Sequence, residues 1–324
     1  MSDLEGLSAV VTGGSRGLGL LIARELADRG CRVTAAARDP HELDEAAELL
    51  RTRAGVEVRT AVCDVRDREA VRKLMADAAR DTGSVDVVIG NAGIIQVGPV
   101  GAVGADEFRS AMDSIFFGAL NTSLEALPHL RRSSTGGRLA LIGSIGGLLA
   151  VPHLLPYSCA KAAVAALAEG LHEEQARYGI TVTAVHPGLM RTGSAPVHAL
   201  FGGDAEREFA WFSAIAGLPL LSMDAERAAA RIVNAVERRR TRIVLTPVAR
   251  AGAKFHGLAP VLTTRLSTLV ARFLPEGGAP SGLVEGQDLA GPARTARSRL
   301  RRLAGVLNER AADRFNQRGR AASG

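Results

Sequence analysis

Tyr157 and Lys161 lie four residues apart in the stretch PYSCAKAAVAALAEGL, which begins at Pro156. The alanines and leucines of this stretch predict a helix, which places the two side chains on one face, one turn apart. A tyrosine has an ordinary pKa of about 10, and a neighbouring ammonium favours the phenolate. The pair therefore has the chemistry of an acid–base catalyst. The alternative is a structural tyrosine beside a surface lysine.

A second chemical signal is the glycine-rich segment TGGSRGLG, residues 12–19, between a short apolar run and a helical pattern. Glycines permit a tight turn there, and the free N–H groups at a helix N-terminus bind a diphosphate. A plain strand-to-helix turn also favours glycine. The prediction of a nucleotide site therefore depends on the position of the loop directly after the first strand. The predicted cofactor-binding residues in this loop are Thr12, Gly13, Ser15, Arg16, Gly17, Leu18 and Gly19.

The end of the second predicted strand, AAARD, bears on which dinucleotide binds. A carboxylate at this point would bind a ribose diol, whereas here Ala37 is followed by Arg38. Two guanidiniums, those of Arg16 and Arg38, suit a 2′-phosphate, which favours NADP(H) over NAD(H). Two solvated surface arginines are the alternative. Asp39 precedes Pro40 and is expected to cap the next helix.

Apolar β-rich runs alternate with helical patterns from SAVVT to RIVLT. This alternation predicts an α/β fold, a doubly wound (Rossmann) parallel sheet with helices on both faces and a helical C-terminal extension. We expect the catalytic domain at residues 1–250 and an amphipathic helical extension at 251–276. A Gly/Pro-rich linker at 277–293 and a basic, helical, partly flexible tail at 294–324 are expected to follow.

The net charge of +6 is concentrated at one end of the chain. Residues 291–324 carry nine arginines and two acids, a net charge of +7, which leaves −1 for the rest. This distribution argues against specific nucleic-acid binding at the site. The sequence shows no signal peptide, no membrane-spanning run and no metal-ligand spacing, and its three cysteines suit a reduced, cytoplasmic protein.

The motifs together resemble the short-chain dehydrogenase/reductase family over about Leu4–Thr246. The resemblance rests on TGGSRGLG, CDV, NAG, a serine thirteen residues before the tyrosine, YSCAK and HPGLMRT, in this order. It implies that Tyr157 exchanges a proton with the substrate oxygen, that Lys161 favours the phenolate and binds the nicotinamide ribose, and that Ser144 positions the substrate. The other cofactor contacts that it implies are Asp64, Val65, Asn91, Gly93, Pro187, Gly188 and Thr192.

One position departs from the family pattern. The stretch DSIFFGAL places Ile115 where the family usually has an asparagine whose backbone holds a water of the proton relay. A milder change puts Gly90 where a second asparagine is common. An alternative function is therefore a nucleotide-binding protein with impaired or no redox turnover, acting as a regulator or scaffold.

The segment between Ser194 and Ser222 is expected to form the substrate loop. Its aromatic residues suit a lipophilic carbonyl or alcohol, or they pack the loop onto the core. His153 and His186 are expected to be packing or surface residues. A homodimer or homotetramer is expected. A further alternative is a membrane-peripheral enzyme, with weak contacts to a membrane or an acidic partner through the C-terminal tail.

Overall fold

Strands and helices alternate along the computed structural model, which describes residues 2–55, 57–191, 198–217, 222–275 and 282–293. The strands are β1 (Ser8–Thr12), β2 (Arg32–Ala37), β3 (Arg59–Val62), β4 (Val87–Gly90), β5 (Gln96–Val97), β6 (Arg138–Ile142), β7 (Thr181–His186), β8 (Leu189–Arg191), β9 (Leu200–Phe201), β10 (Ser222–Asp224), β11 (Arg242–Val244) and β12 (Val284–Glu285). The α-helices are α1 (Gly17–Asp28), α2 (Pro40–Ala54), α3 (Arg68–Thr82), α4 (Ala105–Ala111), α5 (Gly118–Leu130), α6 (Leu155–Gln175), α7 (Ala205–Gly217), α8 (Ala225–Glu237), α9 (Pro247–Leu258), α10 (Pro260–Ala271) and α11 (Gly286–Ala293).

Seven parallel strands form the main sheet in the order β11-β7-β6-β4-β1-β2-β3. The chain first moves outward from β1 to β3 and then returns to the other side of β1 with β4. Ligands of such sheets bind beyond the carboxyl ends of the strands, where the strand order reverses. This edge of the sheet carries Thr12, Ala37, Gly90, Ile142 and His186 as the last residues of five strands.

Two apolar layers bury the sheet. On one face, Leu74 of α3, Leu130 of α5 and Val164 of α6 pack against strand residues such as Leu139. On the other face, Ile22 of α1 and Ile232 of α8 belong to the second core cluster. Because both faces are covered, the strands are almost wholly apolar, and the predicted doubly wound α/β fold is confirmed.

Helix caps explain several element boundaries. The carboxylate of Asp39 accepts hydrogen bonds from the backbone N–H groups of His41 and Glu42, and Pro40 is the first residue of α2. This is the cap expected from the Asp–Pro pair. Between α4 and α5 the chain continues as a π-helix, Met112–Phe117. A π-helix inside a longer helix is uncommon and is frequent at functional sites.

The C-terminal part differs from the sequence prediction in the linker. The expected linker includes residues 284–293, which form β12 and α11, and β12 pairs antiparallel with β9. Leu289 packs on the aromatic cluster around Phe201, and this apolar contact outweighs the poor helix propensity of the Gly/Pro-rich stretch. In the expected amphipathic extension, α10 buries none of its residues. Residues 294–324, the predicted basic tail, lie outside the described residues.

Candidate active site

The glycine loop and the segment after β4 brace each other. Asn91 donates through its side-chain amide to the carbonyl oxygens of Thr12 (3.1 Å) and Gly13 (3.0 Å). The hydroxyl of Thr12 in turn accepts from the backbone N–H of Asn91 at 3.1 Å. Asn91 therefore acts on the cofactor site mainly by holding the glycine loop in shape.

The loop leaves no room for side chains at two of its glycines. Gly13 has a φ of +64°, and a Cβ there would lie 2.9 Å from Cα of Ala92. A Cβ on Gly19 would lie 2.0 Å from the carbonyl oxygen of Gly13. Helix α1 begins directly after this turn, at Gly17, so its first N–H groups face the crevice at the sheet edge.

The end of the crevice beside α2 contains both predicted arginines and a carboxylate that the sequence reasoning did not consider. Arg16 and Arg38 line the same cavity, and Arg38 is solvent-exposed. The guanidinium of Arg16 forms an ion pair with Glu42 of α2, whose other oxygen accepts from the hydroxyl of Ser15 at 2.9 Å. Asp64 binds Arg66 through two carboxylate oxygens, and this hydrogen bonding lowers the pKa of Asp64.

Ser144 and Tyr157 meet at the other end of the crevice. Oγ of Ser144 accepts from the backbone N–H of Gly146 at 3.0 Å, and the Ser144 hydroxyl is also a hydrogen-bond partner of the Tyr157 phenol. Burial raises the pKa of Tyr157, and the hydrogen bond from Ser144 opposes that rise. The phenol is therefore protonated at neutral pH, as a proton donor requires.

Lys161 lies one helical turn beyond Tyr157 and is buried. Its Nζ donates to the carbonyl oxygen of Ile142 at 2.6 Å and lies 5.7 Å from the ring centroid of Tyr157. Burial lowers the pKa of Lys161 to about 8. A Cβ on Gly147 would lie 2.5 Å from the backbone carbonyl group of Lys161, so the turn after Ser144 packs tightly against α6. This packing sets the spacing between the serine, the tyrosine and the lysine.

The Pro187–Gly188 turn completes the wall beside this trio. The carbonyl oxygen of Pro187 accepts from the backbone N–H of Ile145 at 2.8 Å, which ties the turn after β7 to the residue after Ser144. A Cβ on Gly188 would lie 2.5 Å from the hydroxyl oxygen of Thr246. The backbone of the turn therefore lies close to the crevice, where it could contact a bound dinucleotide.

One continuous cavity of about 1990 Å³ joins these parts. It contains the glycine loop at one end and Ser144, Tyr157 and Lys161 at the other. Its lining includes most of the predicted site residues: Gly13, Ser15, Arg16, Gly17, Leu18, Gly19, Arg38, Asp64, Val65, Asn91, Gly93, Ser144, Tyr157, Lys161, Pro187 and Gly188. Thr12 is buried beneath the loop, and Thr192 lies outside the described residues.

Comparison with known families agrees with this arrangement. Residues 8–198 match the family model described as short chain dehydrogenase. The chain belongs to the short-chain dehydrogenase/reductase family. It is therefore an oxidoreductase that uses a nicotinamide cofactor.

Several relatives of this short-chain dehydrogenase are known. The chain is 32% identical over 273 residues to an oxidoreductase of Mycobacterium tuberculosis, SadH, covering 84% of this chain and 96% of SadH. It is 33% identical over 194 residues to gluconate 5-dehydrogenase of Gluconobacter oxydans, covering 59% and 73% of the two chains. Among solved structures, a short chain dehydrogenase from Mycobacterium paratuberculosis bound to NAD matches with a TM-score of 0.65 and 26% identity, covering 75% and 97%.

The position that departs from the family pattern lies within the π-helix. Ile115 is only 1% exposed, and its Cγ1 lies 3.4 Å from where a Cβ on Gly93 would be. The same Cβ position lies 3.8 Å from Nζ of Lys161. In this dehydrogenase an apolar side chain therefore lies on the Gly93 side of Lys161, at the position where the family pattern has an asparagine.

Sequence reasoning missed Glu208 on α7. This carboxylate is fully buried, and its oxygens accept hydrogen bonds from Nδ1 of His153 at 2.8 Å and from the indole N–H of Trp211 at 2.5 Å. His153 itself has a φ of +65°, unusual for a residue with a side chain. Trp211 lines the cavity, and the imidazole and indole rings pack edge to face at 6.2 Å. The three residues join the loop before Tyr157 to α7.

Two further histidines, His186 and His198, lie near the site. His186 is fully buried in β7, and burial lowers its pKa to about 4, so it is neutral and serves packing. His198 lines the cavity, and burial lowers its pKa to about 4 as well, with Arg16 adding to the effect. Within the described ranges, no group of three or more histidine, cysteine, aspartate or glutamate residues could hold a metal ion.

Proposed function

We propose that this dehydrogenase interconverts a carbonyl and a secondary alcohol on a lipophilic small molecule, with NADP(H) as the cofactor. One observation carries the proposal: Ser144, Tyr157 and Lys161 share a single cavity with the glycine loop and Arg38. A dinucleotide laid along this cavity would bring its reactive ring to the phenol.

The glycine loop and the residues at the end of β2 have the features of a dinucleotide site. Gly13 in the turn and Gly19 in the first turn of α1 admit no Cβ, so the chain can approach a diphosphate closely where the N-terminus of α1 begins. Arg38 follows Ala37 at the end of β2 and supports a 2′-phosphate preference, since no carboxylate stands at Ala37. Glu42 competes for Arg16, so the preference rests mainly on Arg38.

In the proposed reaction the cofactor supplies or removes the hydride at the carbonyl carbon. Ser144 would donate a hydrogen bond to the substrate oxygen, and Tyr157 would donate its phenolic proton to the same atom during reduction. The charge of Lys161 stabilises the phenolate left behind, because an ammonium nearby lowers the pKa of a phenol. In oxidation the same phenolate would accept the proton from the alcohol.

The wall of the cavity near Tyr157 supports a lipophilic substrate. It is formed by Val151, Leu154, Trp211, Phe212 and Ile215. Another of the predicted aromatics, Phe201, instead packs edge to face on Phe209 and Phe212 in the cluster behind this wall. The aromatic segment thus supplies both an apolar wall and its packing support.

The test is consumption of NADPH by the purified protein in the presence of a panel of lipophilic ketones, with phosphorylated sugars as the contrasting substrates. We expect turnover with apolar ketones only. Binding of NADPH without turnover of any ketone would instead support the nucleotide-binding regulator, whose basis is the buried Ile115. We further propose that the enzyme is a homodimer or homotetramer, which a mass measurement in solution tests.

A further inference from the structure

Helices α9 and α10 follow each other through the single residue Ala259 and are called here the hairpin; most of their large apolar side chains are exposed to solvent. Among residues 247–271, only Ala249 is buried. Leu258 is 87% exposed, and Phe273, just after α10, is 89% exposed. The exposed large apolar residues, called here the hairpin face, are Val248, Phe255, Leu258, Val261, Leu262, Leu266, Leu269, Val270 and Phe273.

A face of this kind needs a partner surface. A twelve-residue helix is marginal in water by itself, and helices in proteins are stabilised mainly by burying an apolar face. Helix α10 buries no residue against the rest of the described chain. Clustered apolar surface on a protein marks an interaction site with another molecule or a membrane.

The charge of the hairpin indicates which partner fits. Residues 247–274 contain no aspartate or glutamate. They contain Arg250, Lys254, Arg265 and Arg272, and all four are exposed. Apolar side chains mixed with lysine and arginine, without acids, are typical of helices that lie in the interface of anionic lipids.

Two other partners fit less well. A second copy of the chain, docked through the same face, would bring the four basic residues against four more. The segment 294–324 carries nine arginines and two acids, so it is also positively charged. In both cases like charges would repel. We propose that the hairpin face docks on an anionic lipid surface.

The hairpin lies beside the active-site cavity. Val270 belongs to the hairpin face and also lines the cavity, as does Leu274. Docking would therefore place this side of the cavity at the lipid surface, where an apolar substrate concentrates. This last consequence rests on the proposed function, whereas lipid docking does not.

The test is flotation of the full-length protein with vesicles of phosphatidylcholine alone or mixed with phosphatidylglycerol, at low and high salt. We expect binding to the mixed vesicles that weakens at high salt. The variant Leu262→Ser/Leu266→Ser/Leu269→Ser should lower the partition coefficient about tenfold or more, since it removes three apolar side chains from the interface. The control is Val100→Ser, which removes an exposed apolar side chain outside the hairpin; this variant should bind vesicles as the parent does.

Charge is tested separately from apolar area. Arg265→Gln/Arg272→Gln should weaken binding at low salt, whereas Arg80→Gln, an exposed arginine on α3, should not. Circular dichroism and NADPH binding check the fold of the triple serine variant. If it fails to fold, Phe273→Ser, outside the helices, takes its place with a smaller expected loss.

Three results would overturn the proposal. The first is a parent protein that does not float with anionic vesicles. The second is undiminished binding by the serine variants, which would assign the lipid contact to the arginine-rich segment 294–324. The third is that neither the parent nor the triple serine variant binds vesicles, while the variant has a different oligomer mass. That result would show that the hairpin face contacts a second copy of the chain.

Discussion

Nδ1 of His153 lies 2.8 Å from Oε1 of the fully buried Glu208, across 55 residues of sequence. Because the second oxygen of the same carboxylate accepts from the indole of Trp211, one side chain fixes both the loop before Tyr157 and a wall of the cavity. Glu208 thus positions the apolar wall relative to the phenol without touching the reacting atoms.

This geometry predicts the effect of Glu208→Gln. Glutamine replaces one carboxylate oxygen by an NH2 group, which either faces the N–H of Trp211 or requires His153 to accept through Nδ1. Two hydrogen bonds to a charged carboxylate are therefore lost or replaced by weaker neutral ones, at a cost of about 1–3 kcal/mol in the free energy of unfolding. We expect a lower Tm and a KM for bulky ketones raised about fivefold or more, with a smaller change in kcat, because the wall moves while the phenol remains.

The matched control for this change is Glu206→Gln, an exposed glutamate on the same helix. It should leave Tm and KM near the parent values. Glu208→Gln behaving like Glu206→Gln would show that the hydrogen bonds of Glu208 do not hold the cavity wall.

Arg38→Ala should weaken the binding of NADPH about tenfold or more and leave that of NADH nearly unchanged, because a charge-assisted hydrogen bond to phosphate is lost. Glu42→Gln should improve NADPH binding, since it releases Arg16 from its ion pair. Fluorescence titration of both cofactors measures these effects, with Arg51→Ala, an exposed change on the same helix as Glu42, as control. Equal affinities of the parent for NADPH and NADH would rule out the predicted preference.

Local patterns were sufficient to predict the doubly wound parallel sheet, and they indicated the glycine loop and the Tyr157–Lys161 pair. The glycine loop, the Tyr157–Lys161 pair and the cap at Asp39 each depend on residues within a few positions of one another, so their spacing carries the information. The pairing of Glu208 with His153 and the ion pair between Arg16 and Glu42 join separate elements, and no local spacing encodes them.

The C-terminal elements also depend on contacts that local sequence patterns do not encode. Strand β12 is two residues long and forms only by pairing with β9, more than 80 positions earlier, so a Gly/Pro-rich stretch predicts a linker. The apolar spacing over 251–276 predicts an amphipathic helix, and the structure has helices there, but the spacing does not show that α10 buries none of its residues. Periodicity indicates that an apolar stripe exists but not which surface covers it.

The pKa of Lys161 sets the expected pH dependence. Burial lowers the pKa to about 8, so the ammonium loses its proton above that pH and no longer stabilises the phenolate. We expect kcat/KM for ketone reduction to be flat below pH 8 and to fall above it, because Tyr157, whose pKa is raised, stays protonated. Lys161→Arg, if active, should remove the fall, since a guanidinium keeps its charge.

The same shift has a consequence for stability. The unfolded chain binds the lysine proton more tightly than the folded protein, whose pKa is about 8 against an ordinary 10.5. The contribution of Lys161 to the free energy of unfolding therefore rises with pH between these values. For the activity measurement, a kcat/KM profile for ketone reduction that stays flat well above pH 8 in the parent would contradict the assignment of Lys161 as the charge that stabilises the phenolate.

Ile115→Asn tests the departure from the family pattern. The side chain is 1% exposed beside Gly93, so an unpaired amide there should cost about 1–3 kcal/mol of stability and lower Tm. We expect kcat to rise by no more than about twofold, because a backbone carbonyl at this position does not depend on the side chain. Ile115→Val is the control for lost volume. A tenfold higher kcat in the asparagine variant would show that the isoleucine limits the proton supply.

The most direct test of the account compares the parent with Tyr157→Phe in two measurements on the same preparations: NADPH binding and NADPH consumption with a lipophilic ketone. The change removes only the phenolic oxygen, so NADPH should bind with nearly the parent affinity. Turnover should fall by about a hundredfold or more, which is the usual contribution of a positioned proton donor to the reaction rate. Retention of most of the ketone-dependent turnover by Tyr157→Phe would contradict the assignment of this phenol as the acid.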